Sequence, residues 1–485
     1  MTLNLLAPER QLFVGGQFRP SASGRCMDCE NPADETVIRQ VGMAGTADVE
    51  AAAEVAGRAA PAWGDQSWEH RAELLRELAR RLRADADRLS RIDTEDSGNP
   101  IRGSRADVAG AAKAIEYVAG LGGECGGRSI PAPAGVLSFT RRVPCGVVGR
   151  IIPFNHPLLF AAQAIAAPAI TGNAVIIKPS DTTALAALEL AKLTEGLLPP
   201  GVLSVLPGSG PEAGTAIVRH PAIRRIAFTG SVPTGRAILR AAADNMKAVS
   251  LELGGKNPLI CFPDIDPEAA AAAAVLGMNL TSSNGQSCQS TSRVLVHDQI
   301  YDEVVAQIVA RFAALRVGPP QHDANDVGPL AHREHFENVI RFVERAAADG
   351  AEVAVGGARP DGLDKGYFLT PTVLLGVTPD MEIAQEEVFG PVLSVLRWSD
   401  YDEMLRIANG TRYGLTANVL TNDFGAAWRT AAAMRAGVVL INGPVAKPTG
   451  TPFGGLKDSG LGKENGIQEV LSYTEEISVV AKFEM

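Results

Sequence analysis

The chain has 485 residues, 46% hydrophobic and 21% charged, the profile of a folded protein with roughly three domains' worth of chain. Its 45 Lys and Arg against 55 Asp and Glu leave a net charge of −10, which argues against a nucleic-acid binder. Six cysteines are too few for a disulfide scaffold and point to a reducing, cytoplasmic compartment, and no basic-then-apolar leader opens the chain.

In chain order, Cys26 and Cys29 come first, with CxxC spacing but no second pair, so no metal is expected there. Trp68, Leu75, Leu78, Leu82, Leu89 and Ile92 recur at steps of three, four or seven and predict an amphipathic helix over 68–92. Arginines interleaved with acids along it read as a solvated face. GVLSFTRRVPC (135–145) reads as an exposed strand.

From Cys145 the rhythm changes. GVVGRIIPF reads as a strand, HPLLFAAQAIAAPAITG as a helix, NAVIIKPS as a strand and TTALAALELAKLTEGL as a helix. GVLSVLPG, the helical PEAGTAIVRH, RRIAFTG and the helical VPTGRAILRAAAD continue the alternation. Apolar, β-branched runs separated by helices predict a doubly wound parallel sheet, which binds ligands at the carboxyl ends of its strands. No Lys, Arg, Asp or Glu lies between Arg150 and Lys178, but Pro153, Asn155, Pro157 and Gly172 interrupt that stretch, so no membrane span is expected. NPLICF opens a second βαβ series, with Asp266-Pro267 as a helix start, an Ala-rich helix over 268–280, a strand VLVH and a helix over 301–316. SYTEEISVVAKF (472–483) is a second exposed strand. Two edge strands this far apart in sequence predict a small subunit-contact sheet.

Five places could carry chemistry. Phe228-Thr229-Gly230-Ser231 ends a strand and opens a helix, where free N–H groups suit phosphate; the alternative is an ordinary helix with Ser231 as its cap. Gly208-Ser-Gly210 lies near another strand-to-helix turn, but the stretch misses the GxGxxG spacing. Cys288 in NGQSC is a nucleophile if its environment lowers the thiol pKa, and otherwise an inert buried cysteine. Glu252, flanked by leucines, would be desolvated and so a general base near neutral pH, unless it pairs with Lys256. Asn155 in PFNHP is an amide on a proline-locked turn, suited to an oxyanion or simply to the turn.

Together and in this order, IIPFNHP, KPSD, FTGSVPTG, LELGGK, NGQSC, EEVFGPV and PFGGLKDSGLGKENG resemble the aldehyde dehydrogenase superfamily over nearly the whole chain. The resemblance implies an α/β fold with a doubly wound cofactor domain (residues 1–121 and 145–254), a second α/β catalytic domain (255–457) and small β oligomerisation segments (122–144 and 458–485). It implies oxidation of an aldehyde to a carboxylic acid with NAD, through a thiohemiacetal and a thioester on Cys288. Asn155 would stabilise the oxyanion and Glu252 would activate water. Ile152, Pro153, Phe154, Lys178, Asp181, Gly210, Phe228, Gly230, Ser231, Leu253, Glu387 and Phe389 match cofactor positions. Asp181 is one methylene shorter than the usual glutamate, so NAD is expected and NADP stays open. Phe160, Gln163, Ser282 and Phe453 match the substrate tunnel, along with His156 and Lys447; Gln163 and Lys447 stand where quaternary-ammonium members are often aromatic. Ala164 stands where many members carry a lysine facing a glutamate that matches Glu464. A CoA-acylating relative would lack the Glu252 base, and a cofactor-free cysteine hydrolase would need neither FTGS nor EEVFGP. The expected partners are a small aldehyde and further copies of the chain, as a homodimer or homotetramer.

Overall fold

The structure is a computed structural model and describes Pro8 and residues 11–444 and 447–483. Its first sheet has eight strands, in the order Gly460–Leu461, Ala248–Glu252, Ile223–Thr229, Val147–Ile151, Ala174–Lys178, Leu203–Val205, Gln11–Val14 and Gln17–Pro20. The five strands from Ala248–Glu252 to Leu203–Val205 are parallel. Their sequences are apolar at nearly every position because both faces are covered. Val148, Val175 and Ile177 enter one core with the helices Pro157–Ile170 and Leu185–Thr194. Val147, Ile151, Ala174 and Ile176 enter another with Thr46–Gly64 and Val232–Ala243. Successive side chains point to opposite faces of a strand, so one run serves two helix layers.

The segment between Arg150 and Lys178 thus resolves into strand, turn, helix and strand. Pro157 sits in the first helical turn, where its missing N–H leaves nothing unsatisfied. No helix among the described residues is long and apolar enough to cross a membrane.

The second sheet has seven strands, in the order Glu352–Val355, Thr372–Leu375, Val392–Trp398, Arg293–His297, Pro258–Cys261, Thr416–Leu420 and Val438–Ile441. All its pairings are parallel except the first. Asp266 caps the helix Pro267–Gly277 by accepting the Ala269 N–H at 2.9 Å.

The two edge segments pair with each other. Val136–Pro144 and Thr474–Lys482 run antiparallel, from Thr474 opposite Pro144 to Lys482 opposite Val136, as a separate two-stranded sheet. Leu137, Ile477, Val480 and Phe483 are exposed there.

Two boundaries depart from expectation. The helix expected over 68–92 is two, Trp68–Ala84 and Ala86–Ser97, broken at Asp85 with φ −111° and ψ 18°. The Asp85 carboxylate is bound by Arg88, which also donates to buried Glu189 at 2.5 Å, so a side-chain network fixes the break. The segment 458–485 is not wholly a contact segment, because Gly460–Leu461 pairs with Leu251 and Glu252 and completes the first sheet.

Candidate active site

A cavity of about 550 Å³ opens where the parallel strands of the first sheet end and the loop carrying Cys288 arrives from the second sheet. Its wall includes Asn155, Glu252 and Cys288, with Ile152, Pro153, Phe154, Lys178, Asp181, Gly210, Phe228, Gly230, Ser231, Leu253, Glu387 and Phe389. Residues more than 230 positions apart in sequence therefore share one concave surface.

Asn155 lies on the turn between the strand Val147–Ile151 and the helix Pro157–Ile170. It is 4% exposed. Its Nδ2 donates to the Gln286 carbonyl at 2.8 Å, and its own carbonyl accepts from Asn99 Nδ2 at 2.7 Å. The amide is thus tied to the loop two residues before Cys288. That loop is held again beyond the cysteine, where Asn257 Nδ2 donates to the carbonyls of Cys288 at 2.7 Å and Ser290 at 2.9 Å. Cys288 remains partly accessible. Burial first, then the negative charges of Glu387 and Glu252, push its thiol up to about 12, while the Lys447 cation works the other way.

Glu252 ends the strand Ala248–Glu252, with its carboxylate buried. It makes no salt bridge with Lys256: both carboxylate oxygens and Lys256 Nζ lack hydrogen-bond partners among the described residues. Burial, then the like charge of Glu464, raises the Glu252 carboxyl far above the ordinary range, and Lys463 and Arg150 offset this only in part. Burial pushes the Lys256 ammonium down to about 7.

At the other end of the cavity, Gly230 and Ser231 lead into the helix Val232–Ala243. Ser231 sits at the cap position, but its hydroxyl meets Thr234 Oγ1 at 3.0 Å and makes no cap hydrogen bond to the backbone. No Ser231 side-chain cap covers the first N–H groups of that helix, and Gly230, Ser231 and Thr234 at its start line the cavity. Lys178 donates to the Pro179 carbonyl at 2.7 Å, and burial lowers its pKa to about 8 against the pull of Asp181. Glu387 accepts the Gly255 N–H at 2.9 Å, and a Cβ on Gly254 would come within 1.9 Å of its carboxylate, so only glycine allows this approach. A wall with a helix N-terminus, an adjacent lysine and aspartate, and a second acid beside an aromatic side chain suits a dinucleotide.

The substrate residues scatter more widely. Phe160 lines the main cavity. Gln163 and Lys447 line a second cavity of about 460 Å³, beside Lys113, Tyr117 and Glu469. Phe453 is buried in a small cluster that includes Cys288 and Leu440. Ser282 departs from expectation: its hydroxyl donates to the Asn279 carbonyl at 3.2 Å, its backbone abuts Gly103, and it lines neither cavity. His156 has its Nδ1 2.7 Å from Asp107 Oδ2 and its ring edge-on to Phe160.

Three features escaped the sequence reading. Arg150, inside an apolar strand, places Nη1 2.8 Å from Glu464 Oε1 and 2.9 Å from the Tyr473 hydroxyl. It supplies a cation to Glu464 where Ala164 has none. His335 lines the main cavity and meets the Phe389 carbonyl at 2.8 Å, and Phe389 itself adopts φ +58°. Asn257 holds the Cys288 loop. The one sequence signal available was a charged Arg150 in a strand read as buried on both faces, since such a charge must be paired.

The family model described as "Aldehyde dehydrogenase family" matches residues 18–479. The chain is 40% identical over 477 residues to the aldehyde dehydrogenase tropH of Talaromyces stipitatus, covering 96% of this chain and 92% of the relative. It is 39% identical over 466 residues to the hydroxyisobutyraldehyde dehydrogenase of Mycolicibacterium austroafricanum, with the same coverage of 96% and 92%. The NAD+ complex of an aldehyde dehydrogenase from Bacillus cereus superposes with a TM-score of 0.96 at 37% identity, covering 99% of this chain and 98% of that one.

Proposed function

The chain belongs to the aldehyde dehydrogenase family and is an NAD-dependent aldehyde dehydrogenase, and we propose that Cys288, Asn155 and Glu252 divide its chemistry. The observation that carries this reading is that all three side chains line the one cavity whose far wall suits a dinucleotide.

Burial favours the Cys288 thiol, the reverse of the lowered pKa that marks a reactive cysteine, so its proton must leave to solvent before Sγ attacks the aldehyde carbon; a C–S bond then forms and the carbonyl electron pair moves to oxygen. An amide nitrogen has two N–H donors. Asn155 commits one to Gln286 and keeps the other for that oxygen, the preorganised arrangement that stabilises developing charge. NAD, held by residues such as Glu387, Phe389 and Leu253, would supply the acceptor for the hydride on that carbon. What remains on Cys288 is a thioester. Glu252 then removes a proton from water, the water oxygen bonds to the acyl carbon, and the C–S bond breaks to release the acid. A buried, unpaired carboxylate is a stronger base than a solvated one, which suits this step.

Lys178, Asp181 and Gly210 would hold the adenosine end, Phe228, Gly230 and Ser231 the pyrophosphate, and Glu387, Phe389, Leu253 and Ile152–Phe154 the nicotinamide end. Phe160, Gln163 and Phe453 would contact the aldehyde. A domain division at residue 255 is supported by the passage there from strands of the first sheet to strands of the second. The sheet of Val136–Pro144 and Thr474–Lys482 would join subunits, since it exposes Leu137, Ile477, Val480 and Phe483. Six free cysteines fit a reducing, cytoplasmic setting.

The test is NADH formation with a panel of aldehydes, with and without CoA. Turnover to free acid without CoA is the expected result. Turnover that requires CoA, or none with any aldehyde, overturns the reading.

A further inference from the structure

Cys288 lines the cavity that suits the dinucleotide, and Lys447 lines the second one of about 460 Å³. The aldehyde carbon must reach Cys288, and Lys447 is the second-cavity residue that packs against the nucleophile's loop. Its Nζ donates to Gln289 Oε1 at 3.1 Å, on the residue next to the nucleophile, and stands 4.0 Å from the centre of the Phe453 ring, in the cluster that contains Cys288.

We infer that Lys447 makes this a site for aldehydes that carry a carboxylate, with the acid group held by the Lys447 ammonium. The inference rests on the dehydrogenase reading and names its substrate class. An ammonium has three N–H donors, and among the described residues Gln289 accepts only one. The Phe453 ring face and the Gln289 amide oxygen hold the Lys447 ammonium in place; burial lowers its pKa, while the negative charges of Cys288 and Glu252 work the other way. A fixed, partly desolvated cation in a tunnel attracts a carboxylate more strongly than it would in water, and repels a quaternary ammonium by the same argument. Lys113 adds a second positive charge to the wall. The acids nearby do not cancel this. Glu469 lines the second cavity, but burial and then Glu464 raise its carboxyl, and it already accepts the Asn465 N–H at 2.7 Å. Glu252 is likewise raised and faces the main cavity.

The experiment compares kcat/KM for straight-chain aldehydes ending in a carboxylate with the same aldehydes as methyl esters, and with one ending in trimethylammonium. The wild-type enzyme should favour the carboxylate over its ester by about tenfold or more, the range of a charged hydrogen bond. In K447Q and K447M that ratio should collapse toward one, with the trimethylammonium aldehyde gaining relative to both. A wild-type ratio of one or less, or a ratio that survives in K447M, overturns the inference while leaving aldehyde oxidation standing. A second measurement does not depend on turnover: unreactive aliphatic carboxylates should protect Cys288 from alkylation by neutral iodoacetamide, and K447M should lose that protection. Equal protection in K447M, or none in the wild type, also overturns it, whereas failure of every aldehyde to yield NADH would instead strike the dehydrogenase reading.

Discussion

Replacing Glu252 with Gln keeps the side chain's size and removes one ionisable group from a place 4% exposed to solvent. Neither carboxylate oxygen has a hydrogen-bond partner among the described residues, so the substitution breaks no bond that holds the fold. Burial and Glu464 raise the folded-state pKa well above the unfolded value. Between those two values the native state binds the extra proton, so the wild-type protein loses stability as pH rises through that window. Gln cannot ionise. E252Q should match the wild type in urea unfolding at acid pH and become the more stable of the two as pH increases. The rate should move the opposite way. Loss of a general base costs roughly 10²- to 10⁴-fold in the step it serves. That step is hydrolysis of the thioester, after NADH has formed. Stopped-flow absorbance should therefore show a burst approaching one NADH per Cys288, then a slow steady state limited by acyl-enzyme breakdown. In the wild type, hydrolysis should quicken as pH rises and Glu252 ionises, and E252Q should lose that dependence. Burst and steady state falling together would refute the role, as would an E252Q protein less stable than wild type at alkaline pH.

Cys288→Ser should abolish NADH formation while NAD binding, followed by fluorescence quenching or calorimetry, persists, because a serine hydroxyl ionises far less readily than a thiol. Asp181→Ser should narrow or reverse the preference for NAD over NADP in the ratio of catalytic efficiencies, since it removes a carboxylate that would oppose the extra phosphate beside Lys178. Arg150→Met breaks an ion pair whose side chains are 2% and 8% exposed and should cost about 3–5 kcal/mol in denaturant unfolding. It also removes a cation that lowers the Glu252 pKa, so the pH dependence of acyl hydrolysis should move to higher pH.

The alternation of apolar runs with helices, the strand-to-helix turns and the order of LELGGK and NGQSC are local patterns, and local patterns survive in a sequence. They sufficed for the two parallel sheets, because a strand covered on both faces must be apolar at nearly every position, as in Val147, Val148, Ile151 and Ala174–Ile177. They also pointed to Asn155, Glu252, Cys288 and the residues matched to cofactor positions, and the fold gathers these into one cavity.

Other features depend on which residues meet across the fold, and no spacing encodes that. The break at Asp85 follows from Arg88 reaching across to Glu189, and the placement of Ser282 against Gly103 follows from how two helices abut. The choice between Lys256 and solitude for Glu252 was open in the sequence; packing left both groups without a hydrogen-bond partner among the described residues. Arg150 and Glu464 are 314 residues apart, and only the meeting of a central strand with the C-terminal segment makes them an ion pair. Lys447 is one lysine among many along the chain. Its position over Phe453 and beside Gln289, in the wall of the second cavity, is what gives its charge a direction, because an electrostatic interaction is decided by distance and solvent exclusion rather than by residue type.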